Sequence, residues 1–302
     1  MSSAGAFAAS GSQPLAGTAR GAKGGSLNGP GHWLLLDAGN SAVKWVLATH
    51  DGRAGPAHGS MRNAPPAEMA STLARALTEH AVGPVQAAYG CGVAAPALLR
   101  SIDQAVLEAL ALPVHWFETQ SHFEHDGVVL RNGYRDSTQL GVDRWHALIA
   151  ARAAHRDRSL VVVTAGTATT VDGLTIDGSF VGGVIAPGVR LMYEALAHGT
   201  AKLPFSRGQM VAYPDNTDDA IASGVIGCQL GLVERFVRRF SNEHGDPLVV
   251  LTGGHAPQLA PYVGVGTSLP AVVREENLVL RGVFLRARAL AAAATPVDSI
   301  AQ

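Results

Sequence analysis

LLLDAGNSAVKWVLA, residues 34–48, is a run of buried-type β residues interrupted by one turn of small residues. VVVTAGTATTVDGL, residues 161–174, repeats the pattern: an apolar triplet, one further residue, then Ala-Gly and Asn or Thr. Such turns crowd together backbone N–H groups and hydroxyls, which can donate hydrogen bonds to polyphosphate oxygens. One turn of this kind is weak evidence. Two turns with the same pattern predict a duplicated half-domain that binds one nucleotide from both sides.

Composition and charge exclude several classes of partner. The 302 residues carry a formal net charge of −1, which provides no positive field for a nucleic-acid backbone or an anionic membrane. Cys91 and Cys228 are far apart and form no CxxC, which argues against a disulfide framework or a structural zinc site. The sequence has neither a membrane-spanning apolar run nor a signal-peptide pattern. We therefore expect no nucleic-acid partner, no membrane and a cytoplasmic location.

The order of strand and helix patterns predicts two α/β lobes. Residues 1–31 are mostly Gly, Ser and Ala, and we expect a disordered N-terminal extension, because they bury too little apolar surface to offset their ordering entropy. Strands are predicted at residues 34–48 (a hairpin), 85–91, 114–117, 161–163, 170–175, 179–185 and 248–251, and helices at 67–80, 97–110, 141–155, 186–198, 218–240 and 276–294. The alternation indicates an N-terminal lobe at residues 32–157 and a C-terminal lobe at 158–302, with a cleft between them.

Charged residues of the first turn are candidates for phosphate and metal binding. Asp37 follows three apolar residues and so stands at the end of a strand, where a carboxylate can hold a hydrated Mg²⁺ against ATP phosphates. The alternative is an Asp that only closes the turn through its own backbone. Lys44, in the return strand, can reach a phosphate or can simply be a solvated edge lysine.

The second turn is rich in threonine, and a third site is rich in glycine. Thr164 and Thr167 offer hydroxyls beside closely spaced amides, although a Thr-rich strand end also reflects β propensity alone. Gly253 and Gly254, in LTGGHA, follow a predicted strand and would let the backbone pass close to a purine or ribose. A lone Gly-Gly pair is weak evidence for this.

Asp143 is the candidate general base. It lies in QLGVDRWHA at a predicted helix N-terminus, where a carboxylate is favoured electrostatically and can accept a hydroxyl proton. Arg144 beside it can complement a developing phosphoryl charge or a substrate carboxylate. The alternatives are an Asp that only stabilises its helix and an Arg paired on the surface.

Taken together, these motifs resemble a known family. They are DAGNSAVK at residues 37–44, NGY at 132–134 with GVDRW at 141–145, AGTATTVDG at 165–173, GGVIAPG at 182–188, TAKLP at 200–204 and TGGHA at 252–256. In this order, over about residues 34–289, they are similar to the motifs of type III pantothenate kinase.

The resemblance implies a fold and an activity. The fold is the duplicated two-lobe α/β fold of acetate kinase, sugar kinases, heat-shock chaperones and actin, which is ribonuclease H-like, with the ATP cleft between the lobes. The activity is ATP-dependent phosphorylation of pantothenate to 4′-phosphopantothenate, the first step of coenzyme A synthesis. The resemblance also implies Mg²⁺ with ATP, a monovalent cation, and a homodimer with pantothenate at the subunit interface.

The resemblance assigns roles residue by residue. Asp143 becomes the catalytic base, and Asp37 steadies Mg-ATP through water. The ATP contacts are Asp37, Ala38, Gly39, Asn40, Ser41, Ala42, Val43, Lys44, Gly166, Thr167, Gly253 and Gly254. The pantothenate contacts are Tyr134, Gly141, Val142, Asp143, Arg144 and Thr200.

The chain departs from the family pattern at one position. Thr164 stands where the family usually has an Asp that ligates K⁺ or NH₄⁺, and a hydroxyl does not supply that charge. We therefore expect weak dependence on a monovalent cation. Two alternative functions remain open from the sequence: another small-molecule kinase of the same superfamily, and a non-catalytic regulator derived from it.

Overall fold

A computed structural model describes residues 31–52, 54–61, 64–80, 82–200, 203, 205, 208–264 and 269–294. The predicted N-terminal extension therefore lies outside the described residues, apart from Gly31. Three residues of the TAKLP motif, Ala201, Lys202 and Pro204, also lie outside them.

The first sheet has five strands in the order β3-β2-β1-β4-β5. Its elements are β1 (His32–Ala38), β2 (Val43–Thr49), β3 (Ala54–Met61), α1 (Pro66–Glu79), β4 (Val85–Gly92), α2 (Pro96–Leu110) and β5 (Val114–Trp116). Strand β2 runs antiparallel to β1 and β3, whereas β4 runs parallel to β1 and β5.

The second sheet has seven strands in the order β12-β11-β8-β9-β10-β7-β6. Its strands are β6 (His122–His125), β7 (Val128–Asn132), β8 (Leu160–Ala165), β9 (Ala168–Leu174), β10 (Ser179–Pro187), β11 (Leu248–Thr252) and β12 (Val272–Arg274). The helices are α3 (Val142–Ala154), α4 (Val189–Gly199), α5 (Thr217–His244), α6 (Ala256–Leu259) and α7 (Leu278–Ala294), with a 3₁₀ turn at Ser137–Gln139.

The two sheets repeat one topology. Strands β8 to β12 follow the order and directions of β1 to β5: an antiparallel meander whose first strand then pairs in parallel with the fourth, and the fourth with the fifth. This confirms the predicted duplication, and it places the two small-residue turns at equivalent positions, each between the first and second strands of its sheet.

Two parts of the chain cross between the sheets in ways the sequence did not predict. Strands β6 and β7 precede residue 158 but extend the second sheet beyond β10. Helix α7, at the end of the described chain, packs against β1 and β4 of the first sheet and against α3. The division into lobes at residues 157 and 158 stays a prediction, and sheet membership does not follow it at these two places.

Helices cover both faces of the first sheet. Leu34 and Leu36 of β1 point into a core with α1 and α2, and Trp33 and Leu35 point into a core with Phe284 of α7. A strand buried on both faces needs apolar residues at consecutive positions, which explains the unbroken apolar run in the sequence.

Helix α5 is the one described helix that is long and apolar enough to cross a membrane, with a mean hydropathy of 1.4 over 18 residues. Its buried side chains, among them Val225, Val233 and Val237, pack into the core beneath the second sheet. Core helices of globular proteins have the same composition, and the absence of a membrane partner stays a prediction.

Candidate active site

The fold brings the two small-residue turns into contact. Ser41 Oγ of the first turn lies 2.9 Å from Thr167 Oγ1 of the second, although the residues are 126 positions apart. Each turn is closed by the N–H of its glycine: Gly39 donates to the Ala42 carbonyl at 3.1 Å, and Gly166 donates to the Ala168 carbonyl at 3.0 Å. Both turns therefore border one space, as a two-sided phosphate clamp requires.

Asp37 lies at the edge of this space, at the end of β1. It pairs across the hairpin with Lys44 and is partly buried. Burial raises the pKa of the Asp37 carboxyl to about 6, with Lys44 opposing the shift and the nearby Asp143 carboxylate adding to it. A partly desolvated carboxyl of this kind gains from a divalent cation beside it. Among the described residues no group of three His, Cys, Asp or Glu could hold a metal.

Asp143 occupies the first turn of α3, as predicted. Gly141 is the N-cap residue, and Asp143 Oδ1 accepts a hydrogen bond from the backbone N–H of Arg144 at 2.8 Å. Val142, the residue before Asp143, packs against the core that contains Cys91, and Cys91 pairs with Asp37 between β4 and β1. The start of α3 therefore lies close to the strand that carries Asp37, and the Asp143 charge adds to the raised pKa of Asp37.

The Arg144 guanidinium forms a buried ion pair, which corrects the alternative of an arginine paired on the surface, while its contact with pantothenate stays a prediction. Its side chain is 5% exposed, and its Nε donates to both oxygens of Asp172 at 3.2 Å, while Nη2 donates to Oδ1. Nη1 donates to the Tyr134 hydroxyl at 3.2 Å. Arg144 is therefore neither a surface arginine nor a free charge, and it ties the start of α3 to β9.

Gly183 explains part of the GGVIAPG motif. A Cβ on Gly183 would lie 2.1 Å from Asp172 Oδ1 and 2.7 Å from Arg144 Nη2. The backbone of β10 therefore passes directly against the buried pair, and a larger residue would push into it. Asp172 itself lies in the AGTATTVDG motif, but nothing in its spacing indicated Arg144 as its partner.

Gly253 is also required by protein packing, whereas the predicted approach of this glycine turn to a purine or ribose stays a prediction. Its φ is +101°, and a Cβ there would lie 2.3 Å from the carbonyl oxygen of Ala165. His255 then donates from its backbone N–H to the same carbonyl at 2.9 Å. Gly254 has open space around it and faces no such restriction.

A cavity of about 700 Å³ lies beside this third turn. The lining side chains include Val189 and Tyr193 of α4, Ile226 of α5, and His255, Pro257 and Tyr262 around α6. Ligand pockets for small molecules have this size and this mainly apolar lining. The sequence did not predict this cavity, because its walls come from three separate helical segments and from the segment between α4 and α5.

The remaining predicted pantothenate contacts divide into two groups. Tyr134 and Val142 are half-buried. The Tyr134 ring centre lies 5.8 Å from the guanidinium carbon of Arg144, and Val142 precedes Arg144 by two positions in the chain. Thr200 is exposed after α4, where its hydroxyl donates to the Leu196 carbonyl at 2.9 Å, and in the described part of the chain no hydrogen bond joins it to Tyr134.

Thr164 is the last but one residue of β8, where it pairs with Thr170 of β9 and Thr252 of β11. It is half-buried. The neighbouring strands therefore present hydroxyls on either side of Thr164, and the Thr170 hydroxyl donates at 3.2 Å to the Asp172 carboxylate, which is paired with Arg144.

The comparisons with known proteins agree with this geometry. The sequence profile described as "Type III pantothenate kinase" matches residues 33–239. The chain belongs to the type III pantothenate kinase family. It is 42% identical to the type III pantothenate kinase of Aromatoleum aromaticum, over 86% of this chain and 99% of that protein. The chain is accordingly a pantothenate kinase that uses ATP and acts in coenzyme A biosynthesis, so the predicted family and activity are confirmed.

Solved structures support the fold. A putative 2-dehydro-3-deoxygalactonokinase of Sinorhizobium meliloti matches with a TM-score of 0.53 and 14% identity, over 89% of this chain and 100% of that one. An activator of 2-hydroxyisocaproyl-CoA dehydratase of Clostridium difficile, solved with bound ADPNP, matches with a TM-score of 0.50 and 11% identity, over 89% of this chain and 100% of that one. The predicted two-lobe, actin-like fold is confirmed.

Proposed function

We propose that the chain transfers the γ-phosphoryl group of ATP to the primary hydroxyl of pantothenate, giving 4′-phosphopantothenate in the first step of coenzyme A synthesis. One observation carries the assignment of the site: the 2.9 Å contact between Ser41 and Thr167 joins two glycine-closed turns beside the Asp37 and Asp143 carboxyl groups. A phosphoryl-transfer site needs this combination of donors on two sides and a proton acceptor.

In this proposal ATP lies across all three turns. The phosphates are received by hydroxyls and N–H groups of the residue 39–42 and 166–168 turns, other than the Gly39 and Gly166 N–H groups that close the turns. The adenosine part takes the cavity of about 700 Å³ beside Gly254 and His255. A nucleotide has an apolar base and a charged polyphosphate, and a mainly apolar cavity next to clustered amides offers a suitable site to each of them.

Asp37 is the residue that would hold Mg²⁺ bound to ATP, through water. The metal supplies charge neutralisation on the phosphate oxygens. The burial of Asp37 supports this assignment. Burial raises the pKa of its carboxyl, and a cation beside the carboxylate would stabilise the charged form that burial disfavours. Lys44, its cross-strand neighbour, adds positive charge on the same side.

Asp143 accepts the hydroxyl proton of pantothenate. Phosphoryl transfer passes through a loose transition state, so positioning and charge stabilisation account for most of catalysis. The buried pair of Arg144 with Asp172 supports this role, because it fixes the first turn of α3 and therefore the direction of the Asp143 side chain.

We also propose a homodimer with the pantothenate site at its interface. Large apolar side chains are exposed on β10 and α4: Val181 is 45% exposed, Ile185 63% and Leu191 41%. Exposed large apolar side chains support an interface on this part of the second sheet. Sedimentation velocity tests this, with Ile185→Lys expected to give monomers.

The proposed location is the cytoplasm. Both cysteines, Cys91 and Cys228, are free, which fits a reducing compartment. For the same chain we propose weak activation by K⁺ or NH₄⁺, because Thr164 provides no carboxylate for the cation.

The decisive experiment is Asp143→Asn, measured as ADP release that depends on pantothenate. We expect turnover to fall roughly 10²-fold or more, because the proton acceptor is lost while the side chain keeps its shape. The matched control is Asp157→Asn, an exposed carboxylate just beyond the other end of α3, which should retain full activity. Near-full activity of folded Asp143→Asn would show that Asp143 is not the base.

A further inference from the structure

A second cavity, of about 420 Å³, lies where the chain passes from the first sheet to the second. Its walls come from the end of β5 and the segment that follows it, from β6, and from α7. It shares no lining residue with the cavity beside Gly254. The proposed kinase chemistry makes no use of it.

Arg286 of α7 lines this cavity and is only 8% exposed. Its Nη1 donates to the Glu118 carbonyl at 3.2 Å, and its guanidinium carbon lies 4.7 Å from the centre of the Phe117 ring. Across the described part of the chain no carboxylate comes within ion-pair distance of it. Burial accordingly lowers the pKa of the guanidinium below its ordinary value.

The other buried arginines are better satisfied. Arg144 pairs with Asp172, and Arg281 pairs with Glu275. Arg152 donates to four backbone carbonyls and forms no ion pair with a carboxylate of the described residues. Among the described residues, Arg286 uses one of its five N–H donors on a neutral carbonyl and packs over the Phe117 ring, so no carboxylate opposes its buried positive charge.

The rest of the lining fits an anion that carries an apolar group. His115, His122 and Gln120 add polar atoms, while Phe117, Phe123 and Leu290 form apolar walls. The one carboxylate in the lining, Glu124, lies 3.4 Å from His122 and pairs with it.

We propose that this cavity binds a small molecule with a carboxylate or phosphate group attached to an apolar body, and that the anionic group is held by Arg286. Guanidinium groups bind both anions through parallel N–H donors, and the apolar walls select a ligand with a hydrophobic part. The site is separate from the ATP and pantothenate contacts and does not depend on their assignment.

Benzoate and phenyl phosphate are the probes, titrated against the full-length protein by calorimetry, with inorganic phosphate as a third arm. We expect saturable binding of at least one aromatic probe at one site per chain, and the arms distinguish a carboxylate from a phosphate ligand. Gln120→Glu places a competing carboxylate in the cavity at an exposed position and should weaken binding roughly 10-fold or more. Arg286→Gln should have the same effect.

The matched control is Arg288→Gln. Arg288 lies two residues further along α7, is more exposed, and contacts Asp126 outside the cavity, so probe binding should be unchanged. ATP affinity should also be unchanged in all three variants. If Arg286→Gln fails to fold, Gln120→Glu decides. The absence of saturable probe binding, or equal binding by the unmodified protein and Gln120→Glu, would overturn the proposal.

Discussion

Asp172→Asn should destabilise the protein more than any surface change, because it leaves the Arg144 charge buried and unpaired. Arg144 is 5% exposed and Asp172 2% in their side chains, and three hydrogen bonds join them. Breaking a buried pair by removing one partner costs about 3–5 kcal/mol. The asparagine also turns an N–H group toward the guanidinium donors, so we expect the upper part of that range.

The opposite variant, Arg144→Met, should depend on pH. The pKa of Asp172 is already raised by burial and held down by Arg144. Without the arginine, the folded-state pKa lies further above the unfolded value, so the folded state binds the extra proton. The free energy of unfolding of Arg144→Met, compared with that of the unmodified protein, is then greatest at low pH. It falls as pH rises from the unfolded-state pKa of Asp172 to its folded-state pKa, by at most about 1.4 kcal/mol per pH unit.

Guanidinium chloride unfolding at pH 5 and pH 8 measures both variants. The loss in Asp172→Asn should be no larger at pH 8 than at pH 5, because the raised pKa of Asp172 makes the unmodified protein lose stability as pH rises, whereas the loss in Arg144→Met should be larger at pH 8. The double variant should be more stable than Asp172→Asn alone, because neither charge remains. Glu243→Gln, in an exposed pair with Arg239, is the control and should change nothing measurable. A loss below about 1 kcal/mol in Asp172→Asn would refute the buried pair.

Three further predictions concern the nucleotide site. Gly166→Val should keep the fold, because a Cβ at this position meets nothing closer than 3.4 Å, but it should abolish ATP binding measured by calorimetry. Unchanged ATP affinity in this variant would remove the assignment of the turn. Gly253→Ala, in contrast, should lower the melting temperature, because its Cβ meets the backbone at 2.3 Å. Mg-ATP affinity should fall as pH decreases through about 6, where Asp37 takes up a proton, and Asp37→Asn should lose that component of the pH profile; identical profiles would exclude Asp37 from binding. Activation by KCl relative to NaCl at constant ionic strength should be weak and should rise in Thr164→Asp, and strong saturable activation of the unmodified protein would contradict this.

The parts of the fold that were predictable are those encoded by local periodicity. The apolar run before Asp37 identified β1, because a strand covered by helices on both faces needs consecutive apolar residues. The run before Thr164 identified β8 for the same reason, and the matching turns identified the duplication. Strands β6 and β7 were not predicted, because they are short and alternate only partly, and because β7 joins the sheet through β10, about 50 residues later.

The role of Arg144 shows why spacing located the candidate site but not its internal connections. A sequence can place Asp143 at a helix start, because helix N-termini and their preferred residues are local features. The partner of Arg144 is 28 residues away on β9, in a sheet whose register is set by the packing of β8, β9 and β10 together. The space for that partner exists only because Gly183 lacks a side chain. Residues that act through backbone atoms and helix ends are therefore predictable from motifs. The partner of a residue that acts through a buried pair can be identified only when the arrangement of the whole sheet is known.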